Sequence, residues 1–320
     1  MRAALVTALD GPRSIEVTDV PEPVAAPGQV LVDVDVAGVV FPDVLMTRGL
    51  YQSKPELPYT PGWDVSGTLR EECHGLPAGT RVAAMPIVGG FAETVAVDVS
   101  RVYALPEGVT PEVAAALPLN YLTAHFALVH RARLRDGDTV LVHGAAGGVG
   151  SAACGLAAAY GARVIAVVSS PDRAEVARAA GAHETVTADG FLEQTRGLTG
   201  GRGVDVVVDP VGGDRMTDSL RSLAPEGRVV VLGFTAGEIP TVRVNRLLLT
   251  NTTVIGAALL EFWRTDPTLG QRQWHDLVPL VGLGALTPPI ARVLPLEEAA
   301  EAVATLDERR AVGRVLVRVR

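Results

Sequence analysis

Lysine is all but missing from this chain: among 28 basic residues Lys54 is the sole lysine, and the rest are arginine. A Tyr-x-x-x-Lys catalytic pair is thereby excluded, because Tyr51 and Lys54 stand three residues apart. Cysteine is as scarce. Cys73 and Cys154 are the only two, too few for a disulfide framework or a four-cysteine zinc site. His125 and His130 are five apart, off the i, i+4 spacing of a helical metal motif, so the six histidines are read as structural and no metal is expected. There is no basic excess; a net charge of −8 argues against a nucleic-acid partner. With 20% charged and 48% apolar residues, nothing points to disorder. The N-terminal stretch lacks the apolar core of a signal peptide, and a cytoplasmic protein is expected. The uncharged run from Gly144 to Ala162 approaches the length of a membrane span, yet it is nearly all Ala and Gly and reads better as a buried turn and helix.

What is present centres on residues 138–173. Thr139 to Val142 form a β-branched apolar run, a glycine-rich turn follows from Gly144 to Gly150, small helix-compatible residues run from Ser151 to Tyr160, and Arg163 to Val168 is a second apolar run. This is a βαβ unit of the size that binds dinucleotides. Ala145 takes the first place of the GxGxxG template, Gly147 lets backbone approach a pyrophosphate, and Gly150 lets helix pack on strand. Ala146, Gly148 and Val149 complete the turn, whose helix dipole favours an anion. Close packing without a ligand would also select small residues.

The end of the second run distinguishes the cofactor. NAD-binding units carry an acid there for the ribose 2′-OH, whereas this chain reads Ser169-Ser170-Pro171-Asp172-Arg173. Two hydroxyls and a guanidinium suit a 2′-phosphate, so NADPH is favoured. The competing reading makes Ser170-Pro171-Asp172 a helix cap and leaves Arg173 in solvent.

Three regions differ in texture. Residues 1–120 alternate apolar and polar in short runs, notably Ile15 to Val17, Val30 to Val36, Arg81 to Met85 and Phe91 to Val97, with Pro/Gly turns between: a β-rich domain. Residues 121–265 alternate strands at Val140, Val164 to Val168, Val204 to Val208, Arg228 to Leu232 and Thr253 to Gly256 with Ala- and Leu-rich helices, which argues a doubly wound α/β sheet. Asp209 to Gly213 and Gly233 to Thr235 follow two of these strands and are candidate crevice walls. Residues 266–320 end in a helix, Leu296 to Leu306, and a strand, Arg314 to Arg320, whose alternation looks like an edge or half-exposed strand that rejoins the first domain.

Together Gly38-Val39-Val40-Phe41-Pro42-Asp43, Arg48 to Tyr51, Pro61-Gly62, Gly90 to Glu93, Leu117 to Ala124, His143 to Gly150, Asp209 to Gly213 and Asn245 to Leu248 resemble the medium-chain dehydrogenase/reductase superfamily. Within it the chain resembles the zinc-free NADPH:quinone oxidoreductase (zeta-crystallin-like) branch. The resemblance implies a GroES-like β-barrel catalytic domain (1–120), a Rossmann NADPH-binding domain (121–265) and a C-terminal return to the barrel (266–320). It also implies a homodimer paired through the strand near Thr253 to Gly256. Carried over residue by residue, it implies cofactor contacts at Asn120, Thr123, Asp209, Val211, Gly212, Phe234, Ile255, Gly256 and Ala257, and a substrate pocket at Tyr51. The family usually has Asn where this chain has Val40, beside the reacting ring.

Neither zinc site of the superfamily is present, since Val40 lies where a cysteine would be supplied and Trp63-Asp64 stands where a histidine and an acid would be expected. Reduction of a conjugated carbonyl remains. It needs positioning, donors at the oxygen and a proton from water or a phenol. Tyr51 is the candidate donor or positioner, or else a packed aromatic wall; Val40, Tyr59, Phe262 and Trp263 are further pocket candidates. The expected activity is NADPH-dependent reduction of a quinone or α,β-unsaturated carbonyl. The alternatives are an enoyl-thioester reductase of lipid or polyketide metabolism, and an NADPH-binding protein with little catalysis.

Overall fold

A computed structural model describes all residues 1–320. The chain divides into two units: Met1–Leu119 with Pro267–Gly282 and Ile290–Arg320, and Asn120–Asp266 with Leu283–Pro289. No helix is long and apolar enough to cross a membrane. The uncharged Gly144–Ala162 run resolves into a turn and the helix Gly148–Ala159.

The first unit is built on strands β1 (Arg2–Val6), β2 (Ile15–Asp19), β3 (Gln29–Gly38), β4 (Asp64–Leu69), β5 (Arg81–Ala84), β6 (Thr94–Asp98) and β7 (Val102–Ala104). The second unit contributes β8 (Thr139–Val142), β9 (Arg163–Val168), β10 (Glu184–Thr187), β11 (Val204–Asp209), β12 (Leu223–Val231) and β13 (Thr253–Gly256), and the chain returns to the first through β14 (Ile290–Pro295) and β15 (Arg314–Arg318).

In the first unit β1 and β2 pair antiparallel, and a larger sheet runs in the order β14-β15-β3-β4-β5-β7 with β6 also on β3. The length of β3 explains its centrality: its valines alternate inward while its backbone serves β6 at one end, β15 at the other and β4 along most of its length. The helix Leu269–Gly282 docks on β7, with the Trp274 indole donating to Ala104 O at 2.8 Å and its ring stacked on Tyr103 at 4.9 Å.

Two strands differ from expectation. β15 is an interior strand, held between β14 and β3, with Val315, Leu316 and Val317 at most 1% exposed. Its alternation came from Arg318, which is exposed, while Arg314 at its start is buried facing Asp64; β14 takes the edge. β10, which has no apolar run, went unforeseen because only Val186 of its four residues is buried.

The second unit is a six-stranded, wholly parallel sheet in the order β10-β9-β8-β11-β12-β13. Such a sheet, buried on both faces, needs continuous β-branched runs, and Val206-Val207-Val208 supply one at 0% exposure. One face carries Leu141, Ile165, Val207 and Val229 against Phe191, Met216 and Leu220. Strand order reverses at β8, where the neighbours are β9 on one side and β11 on the other, so the crevice between the ends of β8 and β11 is the topological switch point at which such sheets bind ligands. Leu286, 2% exposed, packs near Gly155 and accounts for the return of Leu283–Pro289 to this unit.

Candidate cofactor crevice and substrate residues

At the end of β8 the chain turns at Gly144, whose φ of +58° is the left-handed conformation that glycine adopts without penalty. The left-handed residue of the turn is therefore Gly144, one before the Ala145 that takes the first place of the template: a Cβ at that φ is disfavoured, and Ala145 is wholly buried. Gly147 caps the helix Gly148–Ala159, its N–H donating to Gly144 O at 2.9 Å. Gly150 keeps its expected part, for a Cβ there would stand 2.2 Å from Gly144 O. Asn120, 4% exposed, lies against the same first turn; a Cβ on Gly148 would meet its amide oxygen at 2.8 Å. Ala146 is buried, Val149 and Thr123 are half-buried, and Gly144 and Gly147 face solvent. The turn thus brings backbone to the surface at a helix start, where N–H groups without intrahelical partners attract an anion.

Where β9 ends, Ser169 is exposed and Ser170 caps the helix Pro171–Ala179, accepting from Arg173 N at 3.4 Å. The capping reading is thus correct for Ser170. It does not compete with anion binding, because the cap uses the oxygen and leaves the hydroxyl proton to donate. Arg173 sits half-buried in the first turn.

Where β11 ends, Asp209 is fully buried and its Oδ1 accepts from both Val211 N and Gly212 N at 2.9 Å. Its carboxylate therefore reaches the crevice through the turn it holds. That turn is tied to the loop after β12: Thr235 N donates to Pro210 O at 3.2 Å, Ala236 N to Val211 O at 2.9 Å and Gly213 N to Glu238 O at 3.1 Å. Gly212 has φ +68°, and a Cβ there would meet the Phe234 ring at 2.8 Å. Phe234 itself is 40% exposed. At β13, Ala257 N donates to Val231 O at 3.0 Å and Arg131 Nε to Gly256 O at 2.9 Å, which leaves Ile255 half-buried. Phe262 packs tilted against Phe126 and edge-on to His130, at 5.1 and 4.8 Å between ring centres, and Trp263 is 7% exposed. Both belong to this unit, whereas Val40, Tyr51 and Tyr59 belong to the other.

In the first unit a buried polar cluster surrounds Val40. Asp43, fully buried, accepts from Val40 N at 2.9 Å and from Gly62 N at 3.0 Å. Asp64, also fully buried, accepts from Leu119 N at 2.9 Å and from Arg314 Nη2 at 3.4 Å, while Arg314 Nη1 donates to Val39 O at 3.0 Å. Burial pushes Asp43 up to about 7, with Asp64 adding to the rise and the two backbone donors opposing it. Burial likewise raises Asp64 to about 7, against the pull of Arg314 and the Leu119 N–H. Tyr51 is half-buried and meets Trp63 edge to face at 5.4 Å. The Tyr59 hydroxyl and the Trp63 indole N–H are buried without a hydrogen-bond partner, and burial with Asp43 nearby lifts the phenol to about 12. The bonding roles of Asp43 and Arg314 were not foreseen; the only sequence signals were an acid, Asp43, near the Val40 position, and an arginine, Arg314, opening the apolar run Val315 to Val317.

Residues 26–107 match the alcohol dehydrogenase GroES-like domain family and residues 148–281 match the zinc-binding dehydrogenase family. The chain is 38% identical to quinone oxidoreductase-like protein 2 of Bos taurus over 322 residues, covering 99% of this chain and 92% of that protein. Among solved structures it resembles a probable oxidoreductase from Mycobacterium abscessus (TM-score 0.91, 39% identity, 100% of this chain and 99% of that one). It also resembles the quinone oxidoreductase of Thermus thermophilus, described with its NADPH complex (TM-score 0.88, 37% identity, 100% of both chains). The residues present do not fit the zinc that one family description names. No three His, Cys, Asp or Glu side chains gather to hold a metal ion, Val40 and Trp63 offer no ligand, and Asp43 and Asp64 are bonded to backbone and Arg314. A GroES-like domain joined to a Rossmann-type parallel sheet, matched end to end by these relatives, places the chain in the medium-chain dehydrogenase/reductase superfamily, as an oxidoreductase of its quinone oxidoreductase-like branch.

Proposed function

We propose that this oxidoreductase uses NADPH to reduce a quinone or an α,β-unsaturated carbonyl. The observation that carries the reading is the end of β9, where Ser169, Ser170 and Arg173 stand and no acid occupies the ribose-binding place. The first turn of the helix Gly148–Ala159 would hold the pyrophosphate, and the Ser169 and Ser170 hydroxyls with the Arg173 guanidinium the 2′-phosphate. Thr123, Val211, Gly212, Phe234 and the backbone at Ile255 to Ala257 would bound the nicotinamide end. Bound NADPH supplies the hydride.

The protein's own contribution is positioning and proton supply. A conjugated carbonyl accepts hydride without prior deprotonation, and charge builds on its oxygen, so a donor there suffices. Tyr51, braced edge-on by Trp63, is the side chain we assign to positioning that oxygen. Tyr59 stays protonated throughout the neutral range, because its pKa is pushed up to about 12. The chain also pairs with a second copy in this reading. β13 is an open sheet edge, and Val244, Leu248 and Leu249 beside it are at least 75% exposed, so a two-fold related copy would cover both.

Fluorescence titration of the purified protein with NADPH and NADH, followed by addition of 1,4-benzoquinone or an enone, tests the reading. Preferential NADPH binding with rapid oxidation on adding the acceptor is the expected result. Equal affinity for the two cofactors would overturn the assignment of Ser169, Ser170 and Arg173; NADPH binding with no oxidation by any acceptor would overturn the activity.

A further inference from the structure

Beneath the crevice wall lies a group that the proposed function does not use. His143 follows β8 directly, and its N–H donates to Val208 O at 3.0 Å. Val206, Val207 and Val208 are in register with Val140, Leu141 and Val142, so the next residues, Asp209 and His143, stand side by side and project to the same face of the sheet. That face is covered by the helix Met216–Arg221, from which Ser219 Oγ reaches His143 Nε2 at 2.9 Å, and by Phe191, edge-on to the imidazole at 4.8 Å. All three polar residues are 0% exposed.

Two atoms in this group are buried without a partner: His143 Nδ1 and Asp209 Oδ2. They are complementary. An imidazole nitrogen can carry a proton to donate, and a carboxylate oxygen can only accept. Asp209 Oδ1 is committed to Val211 N and Gly212 N, so Oδ2 is the oxygen that lacks a donor. Burial holds the imidazole neutral, its pKa pushed down to about 4, although Asp209 favours the charged form. A neutral imidazole carries one proton, and the carboxylate beside it draws that proton to Nδ1. Nε2 is then an acceptor, and the Ser219 hydroxyl donates to it.

We propose that His143 is a positioning residue of the cofactor crevice: as the Nδ1–H tautomer it donates toward Asp209 Oδ2, through one buried water, and the chain Ser219–His143–Asp209 fixes the Val211–Gly212 turn. A water there satisfies both orphaned atoms at once, the usual reason for a buried water to be retained. The role for the turn in cofactor binding rests on the dinucleotide reading above; the hydrogen-bond chain does not.

Two substitutions separate this from a merely structural part. An asparagine amide nitrogen falls close to the place of Nδ1, and a glutamine amide close to that of Nε2. His143→Asn therefore keeps a donor facing Asp209 but leaves a larger void, while His143→Gln fills the space better and loses that donor. In the protein without cofactor, H143Q is expected to accelerate hydrogen exchange at the Val211 and Gly212 amides about tenfold, and H143N much less. The NADPH dissociation constant should follow, rising about tenfold in H143Q and less in H143N. A long-range 1H–15N spectrum of the wild-type imidazoles, with His143 identified by its loss in H143N, should show Nδ1–H. An Nε2–H tautomer, or an exchange loss that follows side-chain volume and is worse in H143N, would overturn the proposal. Nδ1–H with the expected exchange pattern in a protein that binds no NADPH would uphold the chain and overturn the cofactor reading instead.

Discussion

Replacing Arg314 by methionine should destabilise the protein in a manner that grows with pH. The guanidinium is 4% exposed, donates to Val39 O at 3.0 Å and faces Asp64, itself 0% exposed, at 3.4 Å. Methionine keeps much of the length and removes the charge. Asp64 already sits at about 7 instead of its ordinary 3.8, which corresponds to about 4 kcal/mol of preference for the protonated carboxyl in the folded protein. Its folded pKa thus lies above its unfolded one. The folded state binds the extra proton, and this contribution to stability, full below about pH 4, is lost as pH rises toward 7. Removing Arg314 raises the folded pKa further and stretches that window upward. At pH 5 Asp64 is protonated in both proteins, and the variant loses only the guanidinium's hydrogen bonds, about 1–3 kcal/mol. At pH 8 the wild type holds an ionised, paired carboxylate, whereas the variant must bury an unpaired charge or keep the proton, for a total loss of about 3–5 kcal/mol. Urea unfolding followed by tryptophan fluorescence at the two pH values measures the difference. An equal loss at pH 5 and pH 8 would refute the reasoning, as would failure of Asp64→Asn, added to Arg314→Met, to recover stability at pH 8.

Three other outcomes follow from the geometry. Gly150→Ala places a Cβ 2.2 Å from Gly144 O, a backbone atom that cannot swing away, so a loss of about 1–3 kcal/mol in denaturant unfolding and of NADPH binding in titration is expected. Arg173→Ala should weaken NADPH about tenfold and leave NADH unchanged, because only the former presents a 2′-phosphate to the guanidinium; equal changes would remove the residue from the phosphate site. Leu248→Glu with Leu249→Glu places charges on a helix where these two leucines are 77% and 78% exposed; if the proposed pairing holds, light scattering should report a dimer for the wild type and a monomer for the variant.

The βαβ unit was legible because its signals are local. The strand run, the left-handed turn and the small-residue helix each occupy neighbouring positions, so periodicity and glycine spacing find them, although the template's first place falls on Ala145 while the left-handed φ belongs to Gly144. β10 and β15 were harder for one reason: the context that makes each a strand comes from elsewhere in the chain. Val186 is the only buried residue of β10, which forms because β9 offers it an open edge. β15 read as half-exposed because Arg318 interrupts its apolar run, while the pairing with β3 that places it inside the sheet comes from the far end of the chain. The polar cluster around Val40 was invisible for the same cause. Asp43 makes one bond within its own helix cap, to Val40 N, but its second, to Gly62 N, is 19 residues distant.

That cluster also bears on why a fold related to zinc-binding dehydrogenases keeps two buried acids without a metal to serve. Asp43 ties Val40 N to Gly62 N, and Asp64 ties Leu119 N to Arg314, which in turn holds Val39 O. Both carboxylates therefore join the 39–40 segment to the 62–64 segment, the two stretches that carry Val40 and Trp63 and flank Tyr59. Hydrogen bonds to a charged group contribute about 1.5–3 kcal/mol each, enough to offset much of the cost of burying the acids and to fix the relative position of the two segments. The acids act as struts. With their oxygens so committed, neither is available as a general base, and a reaction that must first deprotonate an alcohol finds no acceptor among them. What the surrounding side chains retain is the capacity to donate: the Tyr59 hydroxyl, held protonated, and the Trp63 N–H, both without partners inside the unit. Donors of this kind stabilise oxygen on which negative charge is arriving, the charge that hydride addition to a conjugated carbonyl builds in the proposed reaction.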